Sequence, residues 1–336
     1  MPDFIRVPVS EVKSEFYRIL IAHGFDPQKA TTCADVFTNN SIDGIYSHGV
    51  NRFARFVGMI KEGSVNPATE AVVLNRTGNV EQWDGQLGPG PLNALKCTDR
   101  VIELAKKSGI GCVALARTNH WMRGGTYGWR AAKAGCVFIG WSNTIANTPA
   151  WGAINHKLGN NPLVIAVPFG DDAIVLDMAM SQFSYGAMEM YELRNERLPV
   201  YGGFDTTGKL TTDPSEIKKS QRTLPIGYWK GAGLSLLLDI VAAVLSGGMS
   251  VAQITEEISE RNLSQVYIAI DLGKFGESHL ITKVIKDIID DFKTSIPDTP
   301  GKIVRYPGEN VLKTRSDNLV QGIPVSRKVW NEITAL

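Results

Sequence analysis

The most chemically suggestive run of the sequence is Tyr46-Ser47-His48-Gly49-Val50-Asn51-Arg52, which places an imidazole and a guanidinium four positions apart. Residues four apart share a helix face, so a helix that begins near His48 would present both side chains together. Arginine can bind a carboxylate through two parallel hydrogen bonds, and histidine exchanges a proton near neutral pH. The pair suits reduction of a 2-oxo acid, with Arg52 binding the carboxylate and His48 protonating the carbonyl oxygen. A helix-capping serine beside a surface histidine and arginine is the structural alternative.

Two further clusters combine glycines with polar or aromatic side chains. The run Asn119 to Gly125 contains His120 and follows a predicted strand, where α/β proteins commonly place their ligand contacts. The run Gly227 to Gly233 contains Lys230 and precedes an apolar helix, so it could bind an anion such as a dinucleotide pyrophosphate. A structured turn around a packed tryptophan, and a glycine-rich loop that enters a helix, are the structural alternatives.

Several familiar site motifs are absent from the sequence. No GxGxxG follows a predicted strand and no GxxxxGK[ST] occurs, which argues against a Rossmann or P-loop nucleotide site. The five histidines form no HxH, HxxxH or HExxH, so no metal site is predicted. A serine hydrolase could be drawn from Ser47, His48 and Asp177. However, adjacent Ser and His residues rarely face each other productively, and GxSxG is missing.

The composition limits the classes of partner. The chain has 336 residues, with 35 Lys and Arg against 34 Asp and Glu, which gives a formal net charge of +1. A protein that binds nucleic-acid phosphates is normally much more basic. The 33 glycines exceed the usual ~7% and indicate positions where the backbone turns tightly or approaches another group closely. We therefore expect a small-molecule substrate and no nucleic-acid partner.

The apolar segments predict a cytoplasmic protein without a membrane partner. The longest apolar run, Gly233 to Leu245, is interrupted by Asp239 and falls short of the ~20 residues that a bilayer span needs, so we predict a buried helix. The N-terminus lacks the apolar core of a signal peptide. The four cysteines have apolar neighbours and no close spacing, which predicts buried free thiols.

Residues 1–69 are predicted to be helical and to position His48 and Arg52. Ser10 can cap a first helix that ends at Gly24, and Asp26-Pro27 can begin a second. A third helix runs through Phe53 to Gly63. We expect the C-terminal residues 311–336 to pack near this segment.

Residues 70–310 are predicted to form an α/β body, because strand-like and helical patterns alternate along them. A polar excursion is expected at residues 197–224. The predicted elements are a hairpin through Val72–Trp83, strands at Ile110–Ala116, Cys136–Trp141, Leu163–Val167, Ala173–Met178 and Gln265–Ile270, and helices at Pro91–Lys107, Thr126–Lys133, Ala232–Leu245, Val251–Glu260 and Leu280–Phe292.

Six motifs occur in a fixed order along the chain: YSHGVNRF, EQWDGQ, NHWMRGGTYGW, GNNPL, LDMAMSQFSYG and GYWKGAG. Together they resemble the malate/L-lactate dehydrogenase family that lacks a Rossmann fold. The resemblance extends from about Ser10 to Leu336. It implies a distinct α/β fold in which a central sheet flanked by helices, with a helical N-terminal segment, binds NAD(P)H without a GxGxxG turn.

The same resemblance implies an oxidoreductase that transfers hydride from NAD(P)H to the C2 carbonyl of a 2-oxo acid. It further implies a homodimer with active sites near the subunit interface. NADH is the expected cofactor, with NADPH left open. The alternatives within the family act on malate, lactate, ureidoglycolate, sulfolactate or a cyclic imino acid. A nucleotide-binding protein without catalytic activity is the alternative from another class.

The family's functional residues can be carried over position by position. The proton donor falls on His48, although some members assign that role to the histidine of the NH motif, here His120. Arg52 matches the position that binds the substrate carboxylate, and Ser47 lies beside the donor at a substrate-binding position. Gly308-Glu309-Asn310 stands where related reductases have Gly-His-Glu. The implied nucleotide contacts are Thr144, Ala173, Ile174, Val175, Leu176, Asp177, Met178, Ala179, Trp229, Lys230, Gly308, Glu309 and Asn310.

Overall fold

The computed structural model describes residues 3–257 and 259–336. In this part of the chain the strands are β1 Phe4–Val7, β2 Val72–Thr77, β3 Val80–Asp84, β4 Ile110–Thr118, β5 Cys136–Ser142, β6 Ala146–Pro149, β7 His156–Gly159, β8 Leu163–Phe169, β9 Asp172–Met178, β10 Gly203–Phe204, β11 Leu210–Thr211, β12 Leu263–Asp271 and β13 Ile323–Ser326.

The helices alternate with these strands along most of the chain. They are α1 Val9–Ala22, α2 Pro27–Ile42, α3 Val50–Lys61, α4 Gly90–Ser108, α5 Gly125–Lys133, α6 Tyr185–Leu193, α7 Pro214–Ser220, α8 Trp229–Ser246, α9 Val251–Thr255, α10 Ser278–Lys293, α11 Glu309–Gln321 and α12 Arg327–Thr334, with 3₁₀ turns at Tyr46–His48 and Leu272–Lys274.

Seven strands form the central sheet in the order β2-β3-β4-β12-β5-β8-β9. The β3–β4 pair is parallel and the other neighbouring pairs are antiparallel. One face of the sheet packs on α4 and α5, and the other packs on α8. The predicted α/β fold with a central sheet flanked by helices is therefore confirmed. Cys33, Cys97 and Cys136 are buried free thiols as predicted, whereas Cys112 is only half-buried.

The N-terminal helices pack around a cluster of phenylalanine rings. The rings of Phe16 and Phe53 stack with their centroids 3.9 Å apart, and Phe37 meets the edge of Phe53 at 5.2 Å. These rings lie on α1, α2 and α3, so their packing fixes the helix that carries Arg52. Strand β1 pairs with β13, which brings the C-terminal segment back to these helices and packs α12 against α3.

Three sequence-based expectations differ from the structure. The predicted helix Val251–Glu260 ends as α9 at Thr255, because the chain must turn at Asn262, which has a φ of +60°, to enter β12. Strands β1 and β13 and helices α11 and α12 were not predicted. The two strands have four residues each and come from opposite ends of the chain, so no local sequence pattern predicts them.

Helix α8 is the third difference, because it is not simply a buried helix. Its inner face packs on the sheet, where Trp141 Nε1 donates to the carbonyl oxygen of Leu238 at 3.0 Å. Its outer face leaves Leu237 and Val244 58% and 70% exposed. With a mean hydropathy of 1.5 over 18 residues, α8 could cross a membrane by length and composition alone. Here it forms an outer layer of the sheet with an uncovered apolar stripe.

The polar segment 197–224 contains the short β10–β11 hairpin and α7. Leu198 and Ile217 are buried in a small cluster with Met188 of α6. The segment is therefore anchored by its own apolar contacts to the helix that follows β9.

Candidate active site

A tight turn between α2 and α3 carries His48. Helix α3 begins at Val50 rather than at His48, because residues 46–48 form a 3₁₀ turn and the backbone changes direction at Gly49. A Cβ atom at Gly49 would lie 2.2 Å from Ser41 Oγ, so only glycine allows this close approach to α2. The Oγ of Ser41 also accepts the Val50 N–H at 2.8 Å. The turn is therefore fixed directly on α2.

His48 can take up and release a proton without losing its hydrogen bond. Its Nδ1 lies 3.0 Å from Ser47 Oγ, and a hydroxyl can either donate to a neutral nitrogen or accept from a protonated one. Asn40 Nδ2 holds the His48 carbonyl oxygen at 2.9 Å. Burial, together with the positive charges of Arg52 and Arg123, lowers the pKa of His48 to about 4. Both protonation states of His48 thus fit the same side-chain position.

His120 is held as a neutral imidazole beside His48. The two rings lie 5.5 Å apart, centroid to centroid, and are 24° from parallel. The Met122 N–H donates to His120 Nδ1 at 2.9 Å, so this nitrogen carries no proton and the Nε2 carries the hydrogen. Met122 adopts a φ of +67° in making this contact, a conformation that L residues rarely take. Burial holds the pKa of His120 well below its usual value, and the charge of Arg52 adds to this effect.

Arg52 lies in the first turn of α3 with a side chain that is 21% exposed. Its charged neighbour is Glu260, whose Oε2 lies 3.7 Å from Arg52 Nη2. That separation is longer than a hydrogen bond. Among the described residues Arg52 makes no side-chain hydrogen bond, so its donors can bind a substrate carboxylate. The sequence analysis missed Glu260, which is distant in the chain and belongs to none of the six motifs.

Arg123 is a second arginine of the site, and the sequence analysis assigned it no role although it lies in the NHWMRGGTYGW motif. Its side chain is 5% exposed and forms an ion pair with Asp43. Arg315 of α11 binds the other carboxylate oxygen of Asp43 at 2.6 Å. Asp43 lies at the end of α2. This ion-pair group therefore joins α2, the loop that carries His120, and α11.

The end of β9 is tied to the loop that carries His120. Asp177 Oδ2 accepts the N–H of Gly125, the first residue of α5, at 2.7 Å. A Cβ atom at Gly125 would lie 3.1 Å from that oxygen, which is tighter than most contacts of this kind. The run Ala173 to Met178 forms most of β9, an edge strand of the sheet, and Ala179 follows it.

A series of hydrogen bonds connects Thr144 to the end of β9 and then to the segment before α8. Thr144 Oγ1 accepts the Asn160 N–H at 3.0 Å, and the Asn160 carbonyl oxygen accepts the Met180 N–H at 2.9 Å. The Met180 carbonyl oxygen accepts the Ile226 N–H at 2.9 Å, three residues before α8. Trp229 and Lys230 begin α8 and are exposed.

Gly308 to Asn310 lie beside the middle of β9. The Val175 N–H donates to the Pro307 carbonyl oxygen at 3.2 Å, and a Cβ atom at Gly308 would lie 3.3 Å from the Val175 nitrogen. Glu309 accepts hydrogen bonds from Lys293 Nζ and from the Tyr306 N–H. The implied nucleotide positions 173–179 and 308–310 therefore lie along one edge of the sheet, whereas Thr144 follows β5 and Trp229 and Lys230 begin α8.

Among the described residues, three buried polar atoms without partners lie in this region, and one of them is Oδ1 of Asp172 at the start of β9. Trp129 Nε1 is an unpaired donor whose ring is 3.4 Å from the Cβ position of Gly308. Asn119 Oδ1 is an unpaired acceptor directly before His120. A buried polar atom without a partner is costly, so such atoms indicate places where a ligand completes the hydrogen bonding. The unpaired donor of Trp129, which lies beside β9, fits a nicotinamide dinucleotide along that strand.

A family model matches almost the whole chain. The model described as malate/L-lactate dehydrogenase matches residues 7–334. The chain belongs to the malate/L-lactate dehydrogenase family. It is therefore an oxidoreductase that acts on CH–OH groups, and the family indicates a nicotinamide cofactor.

Curated relatives agree with the family assignment along the full chain. A 2,3-diketo-L-gulonate reductase of Escherichia coli O17:K52:H18 is 43% identical over 333 residues, which cover 99% of this chain and 100% of the relative. The protein of that name from Shigella flexneri is 42% identical with the same coverage. Within the family the six motifs resemble 2,3-diketo-L-gulonate reductases, and these relatives confirm that resemblance. They support reduction of a 2-oxo acid and do not favour a non-catalytic nucleotide-binding protein.

Solved structures show the same fold. Malate dehydrogenase from Entamoeba histolytica superposes with a TM-score of 0.93 at 24% identity, covering 99% of this chain and 97% of that one. Malate dehydrogenase from Pyrococcus horikoshii OT3 gives a TM-score of 0.89 at 28% identity, with 100% and 98% coverage. This chain has that fold without a GxGxxG turn after a strand.

Proposed function

We propose that this enzyme reduces 2,3-diketo-L-gulonate at C2 to 3-dehydro-L-gulonate with NADH. The observation that carries the proposal is the pairing of His48, whose two protonation states fit one position, with Arg52, whose side chain donates no hydrogen bond to any described residue. The full-length relatives named 2,3-diketo-L-gulonate reductase support this choice of substrate. Reduction of oxaloacetate, the 2-oxo acid that corresponds to malate, is the second candidate, supported by the name of the solved malate dehydrogenase that is 28% identical.

In the proposed mechanism the chain's own residues bind the acid and move one proton. The nicotinamide, when bound, supplies the hydride for C2. Arg52 binds the substrate carboxylate, and the Nε2–H of neutral His120 donates a hydrogen bond to the carbonyl oxygen. Protonated His48 gives its Nε2 proton to that oxygen, while its Nδ1–H stays bonded to Ser47 Oγ. No side chain has to move for the proton transfer.

The proposal also includes a position for the cofactor. The edge of β9, with Asp177 and Thr144 at one end and Gly308 to Asn310 beside its middle, would hold the dinucleotide, and Trp229 and Lys230 would reach it from α8. A 2′-phosphate needs a basic partner. Lys293, a basic group close to Gly308, is already paired with Glu309. If the 2′-position of the cofactor lies at this end of the strand, the pairing favours NADH over NADPH.

A substrate panel tests the proposed function. Oxidation of NADH and of NADPH is followed with 2,3-diketo-L-gulonate, pyruvate, oxaloacetate and glyoxylate. We expect the highest kcat/KM for 2,3-diketo-L-gulonate with NADH. A higher kcat/KM for one of the other acids would replace the proposed substrate. Cofactor binding without turnover on any acid would overturn the enzymatic role itself.

The pH dependence of the reduction follows from the charges around His48. In the free enzyme the pKa of His48 lies at about 4, so the protonated donor becomes scarcer as the pH rises above that value and kcat/KM falls. A bound carboxylate cancels the charge of Arg52, which raises the pKa of His48 in the complex. Since kcat/KM reports the free enzyme and kcat the complex, we expect kcat to fall at a higher pH. Steady-state profiles measure both, and coincident profiles would contradict this coupling.

We further propose that the enzyme is a homodimer in which the stripe on α8 is covered by the second copy. The exposed side chains of the stripe are Leu236, Leu237, Ile240, Val241 and Val244. An apolar patch of this kind is typical of a protein–protein interface. Leu237→Lys is expected to shift the sedimentation coefficient from dimer to monomer, whereas Leu74→Lys on the exposed edge strand β2 is not. A wild-type protein that sediments as a monomer would exclude the dimer.

A further inference from the structure

A carboxylate accompanies the arginine that binds the substrate. Glu260 Oε2 lies 3.7 Å from Arg52 Nη2, and the Glu260 side chain is only 12% exposed. At this distance Glu260 takes none of the Arg52 hydrogen bonds but cancels part of the guanidinium charge. Glu260 therefore places a negative charge beside the group that binds the substrate carboxylate.

Glu260 is held in place by its neighbours in the chain. Ser259 Oγ lies 2.6 Å from Oγ of Ser64, a buried residue just after α3. This hydrogen bond ties the segment before β12 to the helix that carries Arg52. Glu257 pairs instead with Arg261, whose Nε is 2.6 Å from its carboxylate. The two nearby glutamates thus have different partners, and only Glu260 pairs with Arg52.

A second carboxylate near Arg52 belongs to Glu189, an exposed residue of α6. A Cβ atom at Gly186 would lie 3.1 Å from Ser47 Cβ, so the first turn of α6 packs against the turn that carries His48. Glu189 is three residues further along and shares that helix face. Burial and the nearby positive charge of Arg55 lower the pKa of Arg52, and the negative charges of Glu260 and Glu189 act in the opposite direction.

We propose that Glu260 makes this site selective for 2-oxo acids whose remaining part is uncharged and carries hydroxyl groups. Hydroxyl groups donate hydrogen bonds to carboxylates, whereas a second carboxylate on the substrate would meet like charge. Dicarboxylic 2-oxo acids are therefore disfavoured. The inference rests on the proposed function, because it needs Arg52 to bind the first carboxylate.

The test compares acids that differ in the charge of their distal part. The ratio of kcat/KM for oxaloacetate to that for pyruvate is measured in the wild type and in Glu260→Gln, which keeps the shape and removes the charge. We expect the ratio to rise about tenfold, as the loss of one nearby like charge predicts. For 2,3-diketo-L-gulonate kcat/KM should fall relative to pyruvate, since a neutral amide is a weaker acceptor than a carboxylate.

Two control variants and the wild type distinguish failure of this inference from failure of the proposed function. Glu260→Asp keeps the charge and should keep the wild-type ratio, so it also shows whether a change at this position harms folding. Glu257→Gln removes a neighbouring charge that is paired with Arg261 and should leave the ratio unchanged. A wild-type ratio in Glu260→Gln would overturn the inference, as would an equal rise in Glu257→Gln. A wild type that reduces none of the acids would instead overturn the proposed function.

Discussion

Replacing His48 with asparagine is expected to lower kcat for the 2-oxo acid by about 10²–10⁴-fold, the usual contribution of one general acid. The affinity for NADH should stay at the wild-type value. His48 is the imidazole whose Nδ1 faces a hydroxyl that can donate or accept, so it alone of the two site histidines can change charge without losing a bond. Single-turnover and steady-state kinetics measure kcat, and a fluorescence titration measures NADH binding.

The control for this prediction is the other histidine of the site. His120→Asn removes the Nε2–H donor and the acceptor of the Met122 N–H, so it should lower turnover less and change substrate binding more. His23→Asn, at a half-buried position at the end of α1, should leave both quantities unchanged. If His120→Asn abolished turnover while His48→Asn remained active, the proton donor would be His120.

The elements around the site follow from local patterns in the sequence. The apolar spacing of α1 to α3 and the alternation of strands and helices after Glu70 predict these elements, since periodicity is a short-range property. His48, His120 and Arg52 lie in two of the six ordered motifs, and those motifs indicate the family to which the chain belongs. Arg52 also falls on the helix that the pattern predicts, although α3 begins two residues after His48.

What the sequence does not predict depends on contacts between distant segments. Glu260 reaches Arg52 across more than two hundred residues, and Asp43 is bound by Arg123 and Arg315 from two further elements. Such ion pairs have no signature in composition or spacing, because they exist only after the sheet and its helices are assembled. The uncovered stripe of α8 was missed for a related reason. A uniformly apolar helix has the same pattern whether its outer face meets this chain or another.

Replacing Arg52 with lysine is expected to raise the KM for carboxylate substrates by about 10–100-fold and to leave kcat nearly unchanged. Lysine keeps the positive charge but loses the planar fork that binds a carboxylate through two parallel hydrogen bonds. One charge-assisted hydrogen bond is worth about 1.5–3 kcal/mol, which corresponds to this change in KM. The measurement is a set of steady-state kinetics with pyruvate, oxaloacetate and 2,3-diketo-L-gulonate.

An uncharged substrate and a second variant separate binding of the carboxylate from a general effect on the site. Pyruvamide has the same reacting carbonyl and no carboxylate, so its KM should be equal in the wild type and in Arg52→Lys; an equal rise for pyruvamide would exclude the carboxylate role. Arg52→Gln also removes the charge that helps to lower the pKa of His48 to about 4, so its kcat/KM profile should move to higher pH. Arg52→Lys should leave that profile in place. The lysine and glutamine variants differ mainly in charge. Their two pH profiles therefore separate the effect of Arg52 on the proton donor from its binding of the substrate carboxylate.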